Sequence, residues 1–122
     1  MDDLTIEQVI AFHDRVMKAD GGDSRLLSEA NLHQVVFLVN RTEGVCQRAA
    51  LAFFSLCAYP AFREGNSRTA WLVAEMILNS NGCALEARDD EMAELVKGIA
   101  SFTVEQADVG AWLHSHSKKR LA

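Results

Sequence analysis

The residues from 60 to 69 place several kinds of functional group between two strongly apolar helices. They bring together a carboxylate, a glycine, an amide, two hydroxyls and two guanidiniums: Arg63, Glu64, Gly65, Asn66, Ser67, Arg68 and Thr69. A helix is expected to begin here, and a helix start offers unpaired N–H groups and the positive end of the helix dipole. Both favour an anion, so the pattern predicts a phosphate-binding loop.

Individual side chains in this stretch suit the same chemistry. Gly65 lets the backbone approach a phosphate because it has no Cβ, and Arg68 can hold phosphate oxygens with two parallel N–H groups. Glu64 can hold a magnesium ion that bridges those oxygens. In a simpler alternative, Asn66 only caps a helix and the charges only solvate its start. Arginines at Arg63 and Arg68 are unfavourable near a helix start without an anion, which favours the phosphate site.

Apolar residues at helical spacing predict the six helices that would position this loop. The first covers residues 5–18 and opens with a capping box formed by Thr5 and Gln8. The others are expected at residues 28–40, 45–58, 66–80, 90–100 and 103–114, with a short extended piece at 83–86. We therefore expect an all-α fold, a compact single-domain bundle over residues 1–122 with a flexible tail at 115–122.

The third predicted helix is apolar on nearly every side, which places it in the centre of the bundle. It must end before Pro60, because proline lacks an N–H and pushes its predecessor out of helical geometry. His13 lies on the apolar stripe of the first helix. We expect it to be a hydrogen-bonded histidine at the edge of the core rather than a metal ligand.

The composition narrows the classes of partner. With 12 Lys and Arg against 17 Asp and Glu, the net charge of −5 argues against direct nucleic-acid binding. No segment reaches the roughly 20 apolar residues that cross a bilayer, and the acidic start lacks signal-peptide features, so we expect a cytoplasmic location and no membrane. Cys46, Cys57 and Cys83 have no C-x-x-C spacing and are expected to be buried free thiols. No zinc pattern is present, and His114 and His116 are expected to be solvated.

The segment from Phe62 to Ala70, with the sequence FREGNSRTA, resembles the signature of the Fic/Doc family, written H-x-F-x-[D/E]-[G/A]-N-[G/K]-R. Residues 4–13 also resemble the opening helix of Doc proteins, the death-on-curing toxins of toxin–antitoxin pairs. Thr69 and Ala70 follow the signature, and Trp71 stands where Fic proteins have a second arginine. The resemblance is therefore closest to Doc, and it extends over nearly the whole chain.

This resemblance implies a role for each residue of the loop. Glu64 would bind magnesium, the backbone at Gly65 and Ser67 would form an anion hole, Asn66 would orient the loop, and Arg68 would bind phosphate. The implied sets are catalytic Glu64, Asn66 and Arg68; nucleotide- or phosphate-binding Gly65, Asn66, Ser67, Arg68 and Thr69; and Phe62 as the anchor in the core.

The resemblance also implies an activity and partners. Fic proteins transfer a nucleotidyl group to a protein hydroxyl, whereas Doc phosphorylates elongation factor Tu, a change linked to lysine at the second glycine of the signature. Ser67 occupies that position here. The implied cofactors are Mg²⁺ with ATP or another nucleotide. The implied partners are a protein substrate such as elongation factor Tu and a small antitoxin whose disordered segment folds into a helix on binding.

One position departs from the signature. Pro60 stands where the family has the histidine that takes the proton from the target hydroxyl. Loss of a positioned base costs roughly 10²–10⁴-fold in rate, so we expect weak or absent transfer. An insertion at Ala61 would place Tyr59 there instead, but a phenol with a pKa near ~10 is a poor base. The alternatives are a catalytically silent Fic/Doc domain that binds nucleotide, phosphate or a protein partner, and a plain helical interaction module.

Overall fold

The computed structural model describes residues 2–119, which form six helices and one two-stranded antiparallel sheet. The elements in chain order are α1 (Ile6–Asp20), α2 (Glu29–Asn40), α3 (Val45–Ala58), α4 (Asn66–Ser80), β1 (Cys83–Leu85), α5 (Asp89–Ala100), α6 (Gln106–Ser115) and β2 (Ser117–Lys119). The predicted all-α bundle is confirmed.

Local capping signals explain why the first helices begin and end as predicted. The Thr5 side chain accepts from the Gln8 N–H while the Gln8 side chain accepts from the Thr5 N–H, so the predicted capping box is present. The Ser28 hydroxyl accepts from the Asn31 N–H at the start of α2. Each contact satisfies an N–H group that has no partner within its helix.

The third helix lies in the centre of the bundle, as its composition predicts. It packs against α2, α4, α5 and α6, and Phe53 and Leu56 on it are fully buried. Ala49, Ala50 and Ala52 are also buried, and their small side chains let the neighbouring helices approach closely. The loop that follows α3 is therefore attached to the most rigidly packed element of the fold.

The start of α6 was predicted wrongly. The helix begins at Gln106, with Glu105 and Asp108 forming its capping box, rather than at Thr103 with Gln106. Thr103 does not cap α6 because its hydroxyl donates backwards to the Gly98 carbonyl, and its N–H does the same. Thr103 therefore caps the C-terminal end of α5, and Glu105 and Asp108 cap the start of α6.

The C-terminal end also differs from the expected tail. Ser117–Lys119 pair with Cys83–Leu85 as strand β2, while residues 120–122 lie outside the described part of the chain. His116 is not solvated: its ring stacks on Trp112 at 3.9 Å, and its Nε2 lies 3.1 Å from a carboxylate oxygen of Glu91. His114 is exposed, as expected.

The three cysteines are free thiols, but they are partly exposed rather than buried. Burial still raises the pKa of the Cys57 thiol to about 12. Within residues 2–119, no helix has the length and apolar character required to cross a membrane.

Candidate functional site

The loop between α3 and α4 packs against α1. Phe62 is buried and its ring stacks on His13, with centroids 3.6 Å apart and planes 8° from parallel. His13 is 1% exposed, and its Nε2 lies 2.9 Å from the Glu64 carbonyl oxygen. Because a carbonyl only accepts, this nitrogen carries the proton. His13 is thus the hydrogen-bonded core histidine expected from the sequence, and Phe62 lies in the core as expected.

Asn66 closes the same loop into a small ring. Its amide oxygen accepts from the Phe62 N–H at 3.0 Å, and its amide nitrogen donates to the Phe62 carbonyl at 2.7 Å. Asn66 is the first residue of α4 rather than its N-cap, so the simpler interpretation of Asn66 as a cap does not hold. Its geometry matches the implied role of orienting the loop.

A second segment pairs with the loop from the opposite side. The Arg63 N–H donates to the Arg25 carbonyl at 3.0 Å, and the Leu27 and Ser28 N–H groups both donate to Ala61. The Asn31 side chain donates to the Pro60 carbonyl at 3.1 Å. Residues 25–31 show no alternating pattern that would reveal this pairing, so they were not predicted to support the site.

The start of α4 has no side-chain cap among the described residues, and the space that a Cβ on Gly65 would need is filled by α1 rather than open to a ligand. Gly65 precedes the helix in the left-handed region, at φ 81° and ψ 12°, and no side chain of the described residues caps the helix there. A Cβ on Gly65 would lie 2.8 Å from the Met17 sulfur. The first-turn N–H groups of a helix without a side-chain cap favour an anion, and the phosphate site itself stays a prediction.

The two charged residues of the site have different surroundings. Arg68, with its side chain 64% exposed, places Nε 3.4 Å from an Asp20 carboxylate oxygen. The Glu64 side chain is also exposed, and one of its oxygens accepts from the Asp23 N–H. A carboxylate has further lone pairs, so Glu64 remains able to bind a cation through its other oxygen.

An acidic residue beside Glu64 is strongly stabilised in its ionised form. Asp23 accepts two hydrogen bonds from the Arg25 guanidinium, at 2.9 and 2.8 Å, and its carboxylate lies 4.0 Å from Arg63. Hydrogen bonding to Arg25 lowers the pKa of Asp23 to about 2. These charged contacts hold the segment of Asp23 and Arg25, between α1 and α2, against the loop at Arg63.

The remaining candidate residues fall into two groups. Ser67 is partly exposed in the first turn of α4. Thr69 is fully buried, its N–H donates to the Gly65 carbonyl, and its hydroxyl has no partner within residues 2–119, so a ligand at the surface cannot reach its side chain. Pro60 is half-buried and offers no proton acceptor on its side chain, and the Tyr59 side chain is exposed.

The sequence was compared with models of known protein families. A family model described as the Fic/DOC family matches residues 3–78, which is more than half of the chain. The chain belongs to the Fic/DOC family. No curated protein matches the sequence. The Fic/DOC match covers α1 to α3 and all but the last two residues of α4, so it includes the loop together with α1 and residues 25–31, which hold it.

Within this Fic/DOC domain, the described residues contain no group of three or more His, Cys, Asp or Glu side chains that could enclose a metal ion. The candidate residues instead surround the first turn of α4, with the carboxylates of Glu64, Asp20 and Asp23 and the guanidiniums of Arg63 and Arg68 beside it. A magnesium ion at such a site would take most of its ligands from phosphate oxygens and waters.

Proposed function

We propose that this chain is a Doc-like toxin of a toxin–antitoxin pair. It transfers a phosphoryl or nucleotidyl group from a nucleotide to a protein hydroxyl, on a translation factor such as elongation factor Tu in the cytoplasm. Pro60, in place of the motif histidine, lowers its rate. Membership of the Fic/DOC family supports transferase chemistry, and Thr69, Ala70 and Trp71 after the motif support the Doc-like subtype.

The observation that carries the proposal is the loop held rigidly in front of an uncapped helix. His13 and Asn66 fix the loop, and no described side chain caps the first turn of α4. Phosphoryl transfer depends largely on positioning and on stabilising charge. Preorganised N–H groups supply that stabilisation without rearranging during the reaction. Gly65, Asn66 and Ser67 therefore hold the phosphates through the backbone, and Arg68 adds a guanidinium.

Pro60 determines how fast such a site works. In the transfer step the target hydroxyl oxygen forms a bond to phosphorus, the bond to the leaving phosphate oxygen breaks, and the hydroxyl proton must leave. A positioned base that takes this proton contributes roughly 10²–10⁴-fold. The Pro60 ring cannot accept a proton, so in this chain the proton goes to water.

Magnesium fits the site only in part. Mg²⁺ is commonly held by one or two carboxylates together with substrate phosphates and waters, and Glu64 offers one carboxylate oxygen that no described group contacts. When bound, the ion would neutralise charge on the phosphates. Glu64 is the residue that would hold it.

A transfer assay with labelled ATP, Mg²⁺ and elongation factor Tu tests the proposal. We expect slow labelling by the native chain, none by Arg68→Ala, and labelling faster by about 10²-fold for Pro60→His. The double variant Pro60→His with Arg68→Ala is the matched control and should be inactive. No labelling by either the native chain or Pro60→His, with both variants folded, would overturn the transferase proposal.

A catalytically silent domain is the second candidate, and Pro60 favours it. Such a domain binds nucleotide or phosphate, or a protein partner, without transferring a group. Equilibrium binding of ATP with Mg²⁺ separates the two, because the silent domain binds ATP yet gives no product even at high enzyme concentration. A chain that binds no nucleotide in either form would instead be a plain helical interaction module.

We further propose that a small antitoxin-like protein neutralises this chain by folding a disordered segment into a helix on its surface. The motivation is the resemblance to Doc. Expression with the product of the neighbouring gene should give a complex that co-purifies and suppresses toxicity. A monomer with no measurable affinity for that product, and no toxicity to suppress, would contradict this part of the proposal.

A further inference from the structure

Three elements beyond the Fic/DOC match meet at one histidine. His116 follows the last residue of α6, and its carbonyl accepts from the Glu86 N–H at 2.7 Å, directly after β1. Its side chain reaches Glu91 in the first turn of α5, where Nε2 lies 3.1 Å from a carboxylate oxygen. His116 therefore joins the start of α5, the end of α6 and the sheet of β1 and β2.

Both ring nitrogens of His116 face groups that accept hydrogen bonds. Nδ1 lies 2.8 Å from the Trp112 carbonyl oxygen, and Nε2 faces the Glu91 carboxylate. A carbonyl oxygen and an ionised carboxylate have no proton to donate, so both contacts are hydrogen bonds only when both nitrogens carry a proton. The form of histidine that meets this condition is the positively charged imidazolium.

A neutral His116 loses one of the two contacts, whichever nitrogen keeps the proton. With the proton on Nδ1, the Nε2 lone pair faces the Glu91 carboxylate. With the proton on Nε2, the Nδ1 lone pair faces the Trp112 carbonyl. The Ser115 hydroxyl lies 3.0 Å from Nδ1 and can donate to it, but the carbonyl oxygen stays beside the lone pair. Each neutral form therefore leaves two acceptors against each other in a partly buried place.

The surroundings of the ring also favour the charged form. The imidazole stacks on the Trp112 ring, with centroids 3.9 Å apart and planes 15° from parallel. The face of an indole attracts a cation more strongly than a neutral ring. Hydrogen bonds from the Arg88 N–H and from His116 lower the pKa of Glu91, so that this carboxylate stays ionised beside the ring.

The other charged groups around the ring compete weakly with this arrangement. The Arg88 Nε lies 3.9 Å from the other oxygen of Glu91, but the Arg88 side chain is 75% exposed and water screens it. Lys118 on β2 pairs with Glu86 at 3.3 Å rather than with Glu91. Within residues 2–119, Glu91 is the one carboxylate within 4.0 Å of the His116 ring.

We propose that His116, through its contacts with Glu91, Trp112 and Glu86, is a pH-sensitive latch that holds β2 against β1 and the start of α5. At low pH the imidazolium donates to both acceptors and fixes the backbone that leads into β2. As the pH rises, the ring releases one proton to water, one contact becomes repulsive, and β2 is held less firmly. The latch lies outside the Fic/DOC match and does not depend on the proposed transfer activity.

Amide hydrogen exchange of the native chain at about pH 5 and about pH 8, corrected for the intrinsic exchange rate at each pH, tests the latch. The reporters are the Glu86 N–H and the N–H groups of the ladder between β1 and β2. We expect their protection factors to be about 10–100-fold lower at the higher pH, which is the effect of one hydrogen bond to a charged group. The fall should share its pH midpoint with the ¹⁵N signals of the His116 ring.

Two variants separate the charge of the latch from its packing. Glu91→Gln keeps the size of the side chain and an oxygen for the Arg88 N–H, and its amide can donate to a neutral His116 ring. His116→Gln removes the titrating ring. In both variants we expect the protection factors to differ by less than about threefold between the two pH values. The matched control is His114→Gln, an exposed histidine of α6, which should keep the full native response.

The outcomes decide the proposal in either direction. A response that is present in the native chain and in His114→Gln but absent in Glu91→Gln supports the latch, even where His116→Gln folds poorly. Protection of the ladder that does not change with pH in the native chain overturns it. A pH response of equal size in the native chain and in Glu91→Gln also overturns it, because the charge of Glu91 would then have no part in holding β2.

Discussion

The imidazole of His13 lies flat against the ring of Phe62, 3.6 Å between centroids, and its Nε2 donates to the carbonyl of Glu64 two residues further on. One side chain on α1 thus holds the loop by stacking at one residue and by a hydrogen bond at another. His13 and Glu64 are 51 residues apart in the sequence, so the shape of the loop depends on tertiary packing rather than on local turn preference.

Replacing His13 should therefore destabilise the protein through both contacts. We expect His13→Ala to lower the free energy of unfolding by about 2–4 kcal/mol, because it opens a cavity beside Phe62 and leaves the Glu64 carbonyl without its donor. Chemical denaturation measures this. His33→Ala, on the exposed face of α2, is the control and should change stability by less than about 0.5 kcal/mol. Equal losses in the two variants would contradict the anchoring role.

Gly65 and Gly82 form a matched pair for testing close packing at the loop. Both have φ 81°, but a Cβ on Gly82 meets nothing within 4 Å, whereas one on Gly65 would lie 2.8 Å from the Met17 sulfur. We expect Gly82→Ala to cost about 1 kcal/mol from backbone strain alone. Gly65→Ala should cost about 1–3 kcal/mol more from overpacking. Thermal or chemical unfolding of both variants gives the difference, and similar values would show that the Met17 contact is unimportant.

Removing the amide of Asn66 should loosen the loop without disturbing α4. Asn66→Ala leaves the N–H and the carbonyl of Phe62 unpaired in a partly buried place. We expect a loss of about 1–3 kcal/mol in unfolding free energy, together with weaker ATP binding. Asn79→Ala, on an exposed part of the same helix, serves as the control. Unchanged stability and binding in Asn66→Ala would show that the loop holds its shape without the amide.

The Asp23 cluster predicts a specific dependence of stability on pH. The folded pKa of Asp23 is about 2 against an ordinary value of 3.8, so the unfolded chain binds more protons between these values and stability rises with pH there. The contribution is fully present above about pH 4 and is lost as pH falls towards 2. Denaturation at pH 5 and pH 2.5 should show a smaller drop for Asp23→Asn than for the native chain.

Arg25→Ala removes the partner that lowers the pKa of Asp23 and is the matched variant for this experiment. It should reduce the same pH dependence, because an Asp23 carboxylate without Arg25 titrates closer to its unfolded value. A native chain whose stability falls equally with and without Asp23 would contradict the assignment of this pH range to the cluster.

Local signals explain why most of the helices could be predicted from the sequence. Thr5 with Gln8, Ser28 and Pro60 each act through neighbours within a few residues, so their effect is visible in one dimension. Thr103 was wrongly predicted to cap α6. Its hydroxyl lies between two helices and donates to the Gly98 carbonyl at the end of α5 instead. The strand at Ser117–Lys119 could not be predicted because its partner β1 lies on the far side of α5 and α6 in the chain.

The candidate site was predictable only in its contiguous part. The residues from Glu64 to Arg68 are neighbours, and their types point to a phosphate at a helix start. Residues 25–31 and His13 reach the loop only through folding. Periodicity reports which side of a helix is buried, but it does not report which distant surface that helix will meet.

The order of these residues along the chain has a consequence during synthesis. His13, Arg25 and Asn31, which hold the loop, are all made before it, and Asn66 follows it at once. Folding that proceeds from the N-terminus as the chain leaves the ribosome can therefore shape the loop early. A chain made only as far as Ser80 already contains the loop and these four residues that hold it.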